Sequence, residues 1–196
     1  ESAKIFSDSI KEIRNLHLGI KIEVLIPDFL GDKRAFDMII AAQPDVLNHN
    51  VETVERLYSL NQNTGTKRKR SVRPQANYDR SMNLLKYFKD NSHIITKSGF
   101  MVGLGEDESE VRKLIDDLDN VGCDLITIGQ YLQPTKEHIN VTKFYSLSEF
   151  KEIGVYTKSK SNIKSVECGP MVRSSYHAET QLKRIVHSQS KERGIV

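Results

Sequence analysis

Cysteine is scarce in this sequence. Only Cys123 and Cys168 occur among 196 residues, too far apart for metal-ligand spacing and too few for a disulfide framework. Both read as reduced, buried thiols. Long apolar runs are missing too: nothing approaches the ~20 consecutive apolar residues that a membrane-spanning helix needs. Charge is nearly balanced, 29 Lys and Arg against 26 Asp and Glu for a net +3, so composition makes no case for nucleic acid or a membrane. A signal-like start is absent. Glu1 is no initiator and the chain opens inside a helical pattern, so a truncated N-terminus is expected. What remains, 38% hydrophobic and 28% charged, describes a polar globular chain of one domain or part of one.

Apolar residues Ile5, Ile10, Ile13 and Leu16 recur at helical spacing over 3–16. Residues 21–26 form a short β-branched strand closed by Pro27-Asp28. Gly31-Asp32 opens a helix through Phe36, Ile39 and Ile40 that ends before Pro44. Residues 45–50 form a second strand, polar at its end, and Glu52 begins a helix running to Tyr58. Residues 61–71 include Lys67-Arg68-Lys69-Arg70 and lack apolar residues, which predicts an exposed or disordered insertion. Tyr78, Met82, Leu85 and Phe88 stripe a helix over 78–90. Residues 94–102 form a third strand. Asp107 with Glu110 forms a capping box for a helix through Val111, Leu114, Ile115 and Leu118, closed at Gly122. Residues 124–132 form a fourth strand, and Ser146 with Glu149 caps the last helix.

Strands and helices that alternate four times predict βα units on a parallel sheet. Right-handed crossovers put the C-terminal strand ends on one rim. Polar residues gather there: Asp28, then Asn48, His49 and Asn50, then the run from Gly103 to Glu106, then Gln130 and Gln133. Parallel α/β folds place their chemistry on that rim. The stretch Gly99-x-Met101-x-Gly103-x-Gly105-Glu106 is a glycine-rich turn that admits a ligand to the backbone, or simply a tight turn. Near the chain end, Gly169-Pro170-Met171-Val172-Arg173-Ser174-Ser175-Tyr176-His177-Ala178 sets an arginine, two hydroxyls, a phenol and an imidazole in five consecutive positions. A solvated tail needs no such cluster; helix capping by the serines is the plain alternative.

The stretch Thr96-Lys97-Ser98-Gly99-Phe100-Met101-Val102-Gly103-Leu104-Gly105-Glu106 resembles the fifth-strand motif of radical S-adenosylmethionine enzymes, with Met101 in the isoleucine place. In its longer form it resembles lipoyl synthases. Further stretches agree in family order: Glu23-Val24-Leu25-Ile26-Pro27-Asp28-Phe29, Asn48-His49-Asn50-Val51-Glu52-Thr53-Val54, Val72-Arg73-Pro74-Gln75-Ala76-Asn77-Tyr78, Gly129-Gln130-Tyr131-Leu132-Gln133-Pro134 and residues 169–178. The resemblance covers roughly residues 1–180. It implies an α/β fold, a partial (βα)6 radical-SAM (TIM-like) barrel of which this chain supplies the last four βα units over 1–165. A cluster-ligating C-terminal arm follows over 166–180, then a polar tail over 181–196 with no assigned function.

The activity implied is insertion of two sulfur atoms at C6 and C8 of a protein-bound octanoyl-lysine. One [4Fe–4S] cluster cleaves S-adenosyl-L-methionine to a 5′-deoxyadenosyl radical, and a second, auxiliary [4Fe–4S] cluster gives up sulfur. The resemblance assigns Ser175, or else Ser174, as an oxygen ligand of the auxiliary cluster, and Arg173 as the charge that neutralises its surroundings. It assigns Asn48, Asn50, Glu52, Gly99, Met101, Gly103, Gly105, Glu106 and Gln130 to the S-adenosylmethionine side, where amides offer donors and acceptors together. Lys97 and Arg73 are candidates for the cofactor carboxylate. His49 reads as a structural strand-end histidine.

Implied partners are the octanoylated lipoyl carrier domains of 2-oxoacid dehydrogenase E2 subunits and the glycine cleavage H protein. An electron donor such as ferredoxin or flavodoxin is implied as well. The family works in bacterial cytoplasm and in organelles; the Lys/Asn-rich bias and the polar insertion favour an organelle, a plastid (apicoplast-like) or a mitochondrion. One departure is large. The family's Cys-x3-Cys-x2-Cys motif and its second cysteine triplet are absent, so the chain is expected to be inactive alone. The competing expectations are another radical SAM sulfur-insertion enzyme, biotin synthase-like, against which residues 173–178 argue, and a non-catalytic α/β fragment that binds the carrier domain.

Overall fold

Each main strand is a short apolar run, and in the computed structural model each is carried to the next by a connection containing a helix. The structure describes every residue except 17, 18, 67, 68, 74 and 184–196. In chain order the elements are α1 (Ser2–Leu16), β1 (Glu23–Leu25), α2 (Lys33–Ala42), β2 (Val46–Asn48), β3 (Gln62–Asn63), β4 (Lys69–Arg70), α3 (Tyr78–Asn91), β5 (Ile95–Val102), α4 (Glu108–Asn120), β6 (Leu125–Gln130), α5 (Leu147–Lys158) and β7 (Ser165–Cys168). Five strands form one parallel sheet in the order β1-β2-β5-β6-β7. Because spatial order follows chain order, every crossover steps the same way. Right-handed connections then gather the helices on one face and leave the other as the inner face of a barrel arc.

The two faces follow from the period of two along a strand. Val24, Leu47, Phe100, Val102, Ile126, Ile128 and Val166 face the helices. There they join Phe36, Ile39, Leu85, Phe88, Leu114, Ile115, Leu118 and Phe150 in the main core. Burying each such side chain contributes about 1.5–3 kcal/mol. The opposite residues are small or polar: Asn48 lies beside Lys97, Gly99 beside Thr127 and Met101 beside Gly129. At the lower end of this inner face Val46 and Leu125 form a second apolar cluster with Ile95 and Leu182, so the returning chain end covers it.

Both expected capping boxes form. The side chains of Asp107 and Ser146 each accept from the backbone of Glu110 and Glu149, whose carboxylates return the bond. Gly122, with φ at +78°, closes α4 in the left-handed conformation that glycine tolerates best.

Three expectations fail locally. No helix starts at Glu52. Strand β5 is longer than β2 and its upper backbone groups need partners. Glu52 supplies them: its N–H donates to Gly99 O at 3.0 Å and its carbonyl accepts from Met101 N–H at 2.8 Å. Only a 3-10 turn, Glu55–Tyr58, follows. Residues 61–71 are exposed at 61, 65, 66 and 70, as expected, but they are not a loose insertion. Gln62 pairs with Arg70 in an antiparallel ribbon, and buried Thr64 bridges to Ile139. Lys67 and Arg68 of the basic run lie outside the described residues. A fifth main strand, β7, occupies the start of the stretch assigned to the arm. Its sequence, Ser165-Val166-Glu167-Cys168, is too short and mixed to show a period, and the free edge of β6 recruits it. Of the tail 181–196, only 181–183 fall within the described residues.

Candidate active site

The upper end of the inner face holds a small pocket open to solvent. Strand ends line it with Asn50, Glu52, Gly99, Met101, Thr127 and Gly129, and the chain after β7 closes it with Val172, Arg173 and Ser174. That segment is held by backbone bonds: Gly169 N–H donates to Ile128 O at 3.0 Å and Val172 N–H to Gly169 O at 3.1 Å. Gly129 is the point of closest approach. A Cβ there would stand 2.2 Å from Val172 O, so any side chain would push the arm off the sheet. Arg173 folds its guanidinium back onto the arm, Nη1 donating to Val172 O at 2.6 Å. Ser174 lines the pocket; Ser175 is exposed and lies outside the lining.

Polar atoms in and below the pocket are incompletely satisfied. The buried Asn50 Oδ1 has no hydrogen-bond partner, while its carbonyl accepts from Arg73 Nη1 at 2.7 Å. Gly99 leaves this amide its room: a Cβ there would meet Thr127 Oγ1 at 2.7 Å and Asn50 Oδ1 at 2.9 Å. Glu52 sits in the left-handed region, with φ at +66°, a conformation rare for a non-glycine residue. Burial pushes its carboxyl above the usual range, opposed by the Arg73 charge and the Asn50 amide. Below, Asn48 Nδ2 donates to Glu23 Oε1 at 2.9 Å and Asn48 Oδ1 has no partner. Lys97 is fully buried, with Nζ 3.1 Å from the Glu23 carboxylate. This lysine is engaged one row beneath the pocket.

Other expected site residues are used elsewhere. Glu106 anchors the turn after β5, accepting from Gly103 N–H at 2.6 Å, Leu104 N–H at 2.9 Å and Tyr145 Oη at 2.9 Å. Gly103 and Gly105 take φ of +105° and +109° in that turn. A Cβ on Gly103 would stand 2.2 Å from Gln130 Nε2. Gln130 itself spends its amide on backbone, donating to Lys143 O at 2.9 Å and Tyr131 O at 3.1 Å and accepting from Tyr145 N–H at 2.9 Å. Gly99, Met101, Asn50 and Glu52 are therefore brought together in the pocket, whereas Gly103, Gly105, Glu106 and Gln130 shape the wall outside it. His49 is structural as expected: its Nδ1 meets Ile26 O and its Nε2 meets Ser81 Oγ, each at 2.9 Å. Burial pushes its pKa down.

Sequence reasoning missed Glu23, Thr127 and the Val172 carbonyl. A signal existed for Glu23, the one charged residue within the apolar run from Ile22 to Ile26. The two cysteines offer no thiolate. Cys123 donates to Leu125 O at 3.4 Å and Cys168 to Phe150 O at 3.2 Å, and burial pushes both thiols up to about 12. Among the described residues no three His, Cys, Asp or Glu come together as a metal cradle.

The sequence description of the Radical SAM superfamily matches residues 4–118. Among curated proteins, lipoyl synthase of Caldanaerobacter subterraneus subsp. tengcongensis is 47% identical over 184 residues, covering 92% of this chain and 59% of that protein. Lipoyl synthase of Rubrobacter xylanophilus is 45% identical, covering 91% of this chain and 52% of that protein. The chain thus spans a little over half the length of these curated relatives. Among solved structures, Streptococcus suis SuiB bound to S-adenosylmethionine superposes with a TM-score of 0.59 at 14% identity, covering 82% of this chain and 36% of that one, a likeness of fold alone. By the match over 115 of its 196 residues, on an open parallel sheet with its polar pocket at the strand ends, the chain belongs to the radical SAM superfamily.

Proposed function

We propose that this chain is the cofactor-binding barrel arc and closing arm of a lipoyl synthase, acting in the insertion of two sulfur atoms at C6 and C8 of a protein-bound octanoyl-lysine. The observation that carries this is the meeting of the arm, through Arg173 and Ser174, with Asn50, Glu52 and Gly99 at one pocket. S-adenosylmethionine fits the residues present. The unpartnered Asn50 Oδ1 and the Glu52 carboxylate are acceptors suited to hydroxyl or ammonium donors, and Gly99 keeps the wall open. When bound, S-adenosylmethionine supplies the radical chemistry; the chain orients it and excludes water. Arg73 steadies the site by holding Asn50 O at 2.7 Å and lending Glu52 a countercharge. Lys97, committed to Glu23, sets the polar floor.

Iron–sulfur clusters do not fit the residues present, because both thiols are buried and protonated. The two [4Fe–4S] clusters of this reaction need cysteines that this sequence lacks. The hydroxyls of Ser174 and Ser175 are the oxygen donors that the arm offers toward the auxiliary one. Under this reading the partners are E2 lipoyl domains or H protein and a ferredoxin- or flavodoxin-type donor, and the compartment is a plastid or mitochondrion, or else the bacterial cytoplasm. Fusing this chain to the part of the Caldanaerobacter relative that it does not match tests the proposal. With iron, sulfide, reductant, S-adenosylmethionine and an octanoyl-lysyl peptide, mass spectrometry should find lipoyl peptide from the fusion and none from this chain alone. A fusion truncated after Gly169 that made as much product would overturn the role of the arm, and an inert intact fusion would overturn the function.

A further inference from the structure

The basic ribbon was expected to be an exposed insertion without a task, yet it is docked. Thr64 bridges to Ile139, and both are nearly fully buried. A Cβ on Gly65 would stand 2.9 Å from Lys136 O, so the ribbon backbone lies directly on the 135–139 segment. Its first strand reaches the turn after β5, where Gln62 Oε1 lies 3.4 Å from the Cβ position of Gly105. Three residues beyond β4, Arg73 donates to the carbonyl of pocket-lining Asn50. The ribbon therefore stands on the C-terminal rim, beside the pocket.

Its charge is one-sided. Residues 61–71 carry four cations and no acid, and the segment beneath adds Lys136 against a single acid, Glu137. Cations on the helices are widely ion-paired: Arg112 with Glu108, Lys113 with Asp117, Lys160 with Asp116. Arg70 and Lys136 are exposed and have no ion pair among the described residues. The Glu137 carboxylate accepts from Thr135 Oγ1 at 2.5 Å and is also drawn by the charges of His138 and Arg70, so it offsets part of this charge without forming an ion pair. We propose that the β3–β4 ribbon and the segment it rests on form a docking surface for an acidic face of the folded domain that presents the octanoyl-lysine. This rests on the lipoyl synthase reading, which requires that the acyl-lysine reach the pocket from this rim while still attached to its protein. Unpaired rim cations steer such an encounter and fix its orientation; a short peptide would gain nothing from them.

The test is binding of an octanoylated E2 lipoyl domain to the 196-residue chain, by calorimetry at about 50 mM and about 300 mM salt. Lys69→Glu/Arg70→Glu/Lys136→Glu should weaken binding about tenfold at the lower salt, with the gap closing at the higher. Arg70→Gln/Lys136→Gln, which removes charge without reversing it, should fall between. In the fusion described above, the triple variant should process a neutral octanoyl-lysyl tripeptide at the unaltered rate. That result separates this proposal from the function it rests on. Equal binding by wild type and triple variant would overturn it. So would loss of affinity for a duplex oligonucleotide with carrier binding unchanged, the sign of a nucleic-acid surface.

Discussion

The lower and upper ends of the inner sheet treat polar groups in opposite ways. At the lower end an aspartate stands just before two of the strands, and both are saturated. Asp124 accepts from Lys89 and Lys164, each at 2.7 Å, and from Thr96 N–H at 3.0 Å and Thr96 Oγ1 at 3.1 Å. Asp45 accepts from Lys21 at 2.9 Å, Ile22 N–H at 2.9 Å and Arg14. Burial opposes ionisation of both, yet these bonds hold each carboxyl below its usual range. At the upper end Asn48 and Asn50 keep unpartnered oxygens, and Glu52 is strained and hard to ionise. A buried polar group without a partner costs about 1–3 kcal/mol. Ser7, Thr53 and Gln181 carry the same cost elsewhere in the molecule, but only at the strand ends do such atoms, those of Asn48 and Asn50, lie in or just beneath the pocket where a ligand can supply the missing bond. On that ground the lower end is scaffold and the upper end is site.

The largest effect should come from the scaffold. Asp124→Ala leaves two lysines and the Thr96 N–H without their acceptor and should cost about 3 kcal/mol in urea unfolding. The affinity of the remaining folded chain for S-adenosylmethionine should be unaltered. A variant as stable as wild type would erase the distinction between the two ends. Next, Asn50→Ala removes an oxygen that no hydrogen bond of the fold uses, together with the amide's bond to the Glu52 carboxyl. Stability should stay within about 0.5 kcal/mol, while calorimetry with S-adenosylmethionine should show binding about tenfold weaker. A stability loss above about 1 kcal/mol with intact binding would make Asn50 scaffold instead.

The smallest effect is one of pH. Asp45 and Asp124 have depressed folded pKa values, so their contribution is present above the unfolded carboxylate pKa and is lost as pH falls through the folded one. Glu52 has the opposite sign. Its raised folded pKa gives stability that is complete below the unfolded pKa and is lost as pH rises through the folded value. Glu52→Gln should therefore flatten the neutral side of the stability–pH curve, by under about 1 kcal/mol, and leave the acid limb in place. An acid limb that moved with Glu52→Gln would mean that the two ends titrate as one unit.

Much of the scaffold was legible because its signals are local. Capping boxes at Asp107 and Ser146 span four residues, and the stripe of α3 from Tyr78 to Phe88 spans about three turns. Strand β7 was illegible because its four residues are strand only by virtue of β6. Glu52 was misjudged for a related reason: a helical pattern from 52 to 58 lost to backbone groups of β5 that needed partners. The site was half legible. Its residue types and their gathering on one rim could be read in order along the chain, but the pocket selects Asn50, Glu52, Gly99 and Met101 and leaves Gln130 and Glu106 to brace the wall.

By itself, then, the amino-acid sequence determined the alternation of strands and helices, the rim on which polar residues gather and the family resemblance. Each of these is a matter of spacing or of motif order along one chain. Only the tertiary structure decided that Lys97 answers to Glu23, that Gly129 admits the Val172 carbonyl and that the basic ribbon is docked beside the pocket. Those are meetings of residues far apart in sequence, set by strand register and by backbone groups competing for the same side-chain donors and acceptors, and no local pattern encodes them.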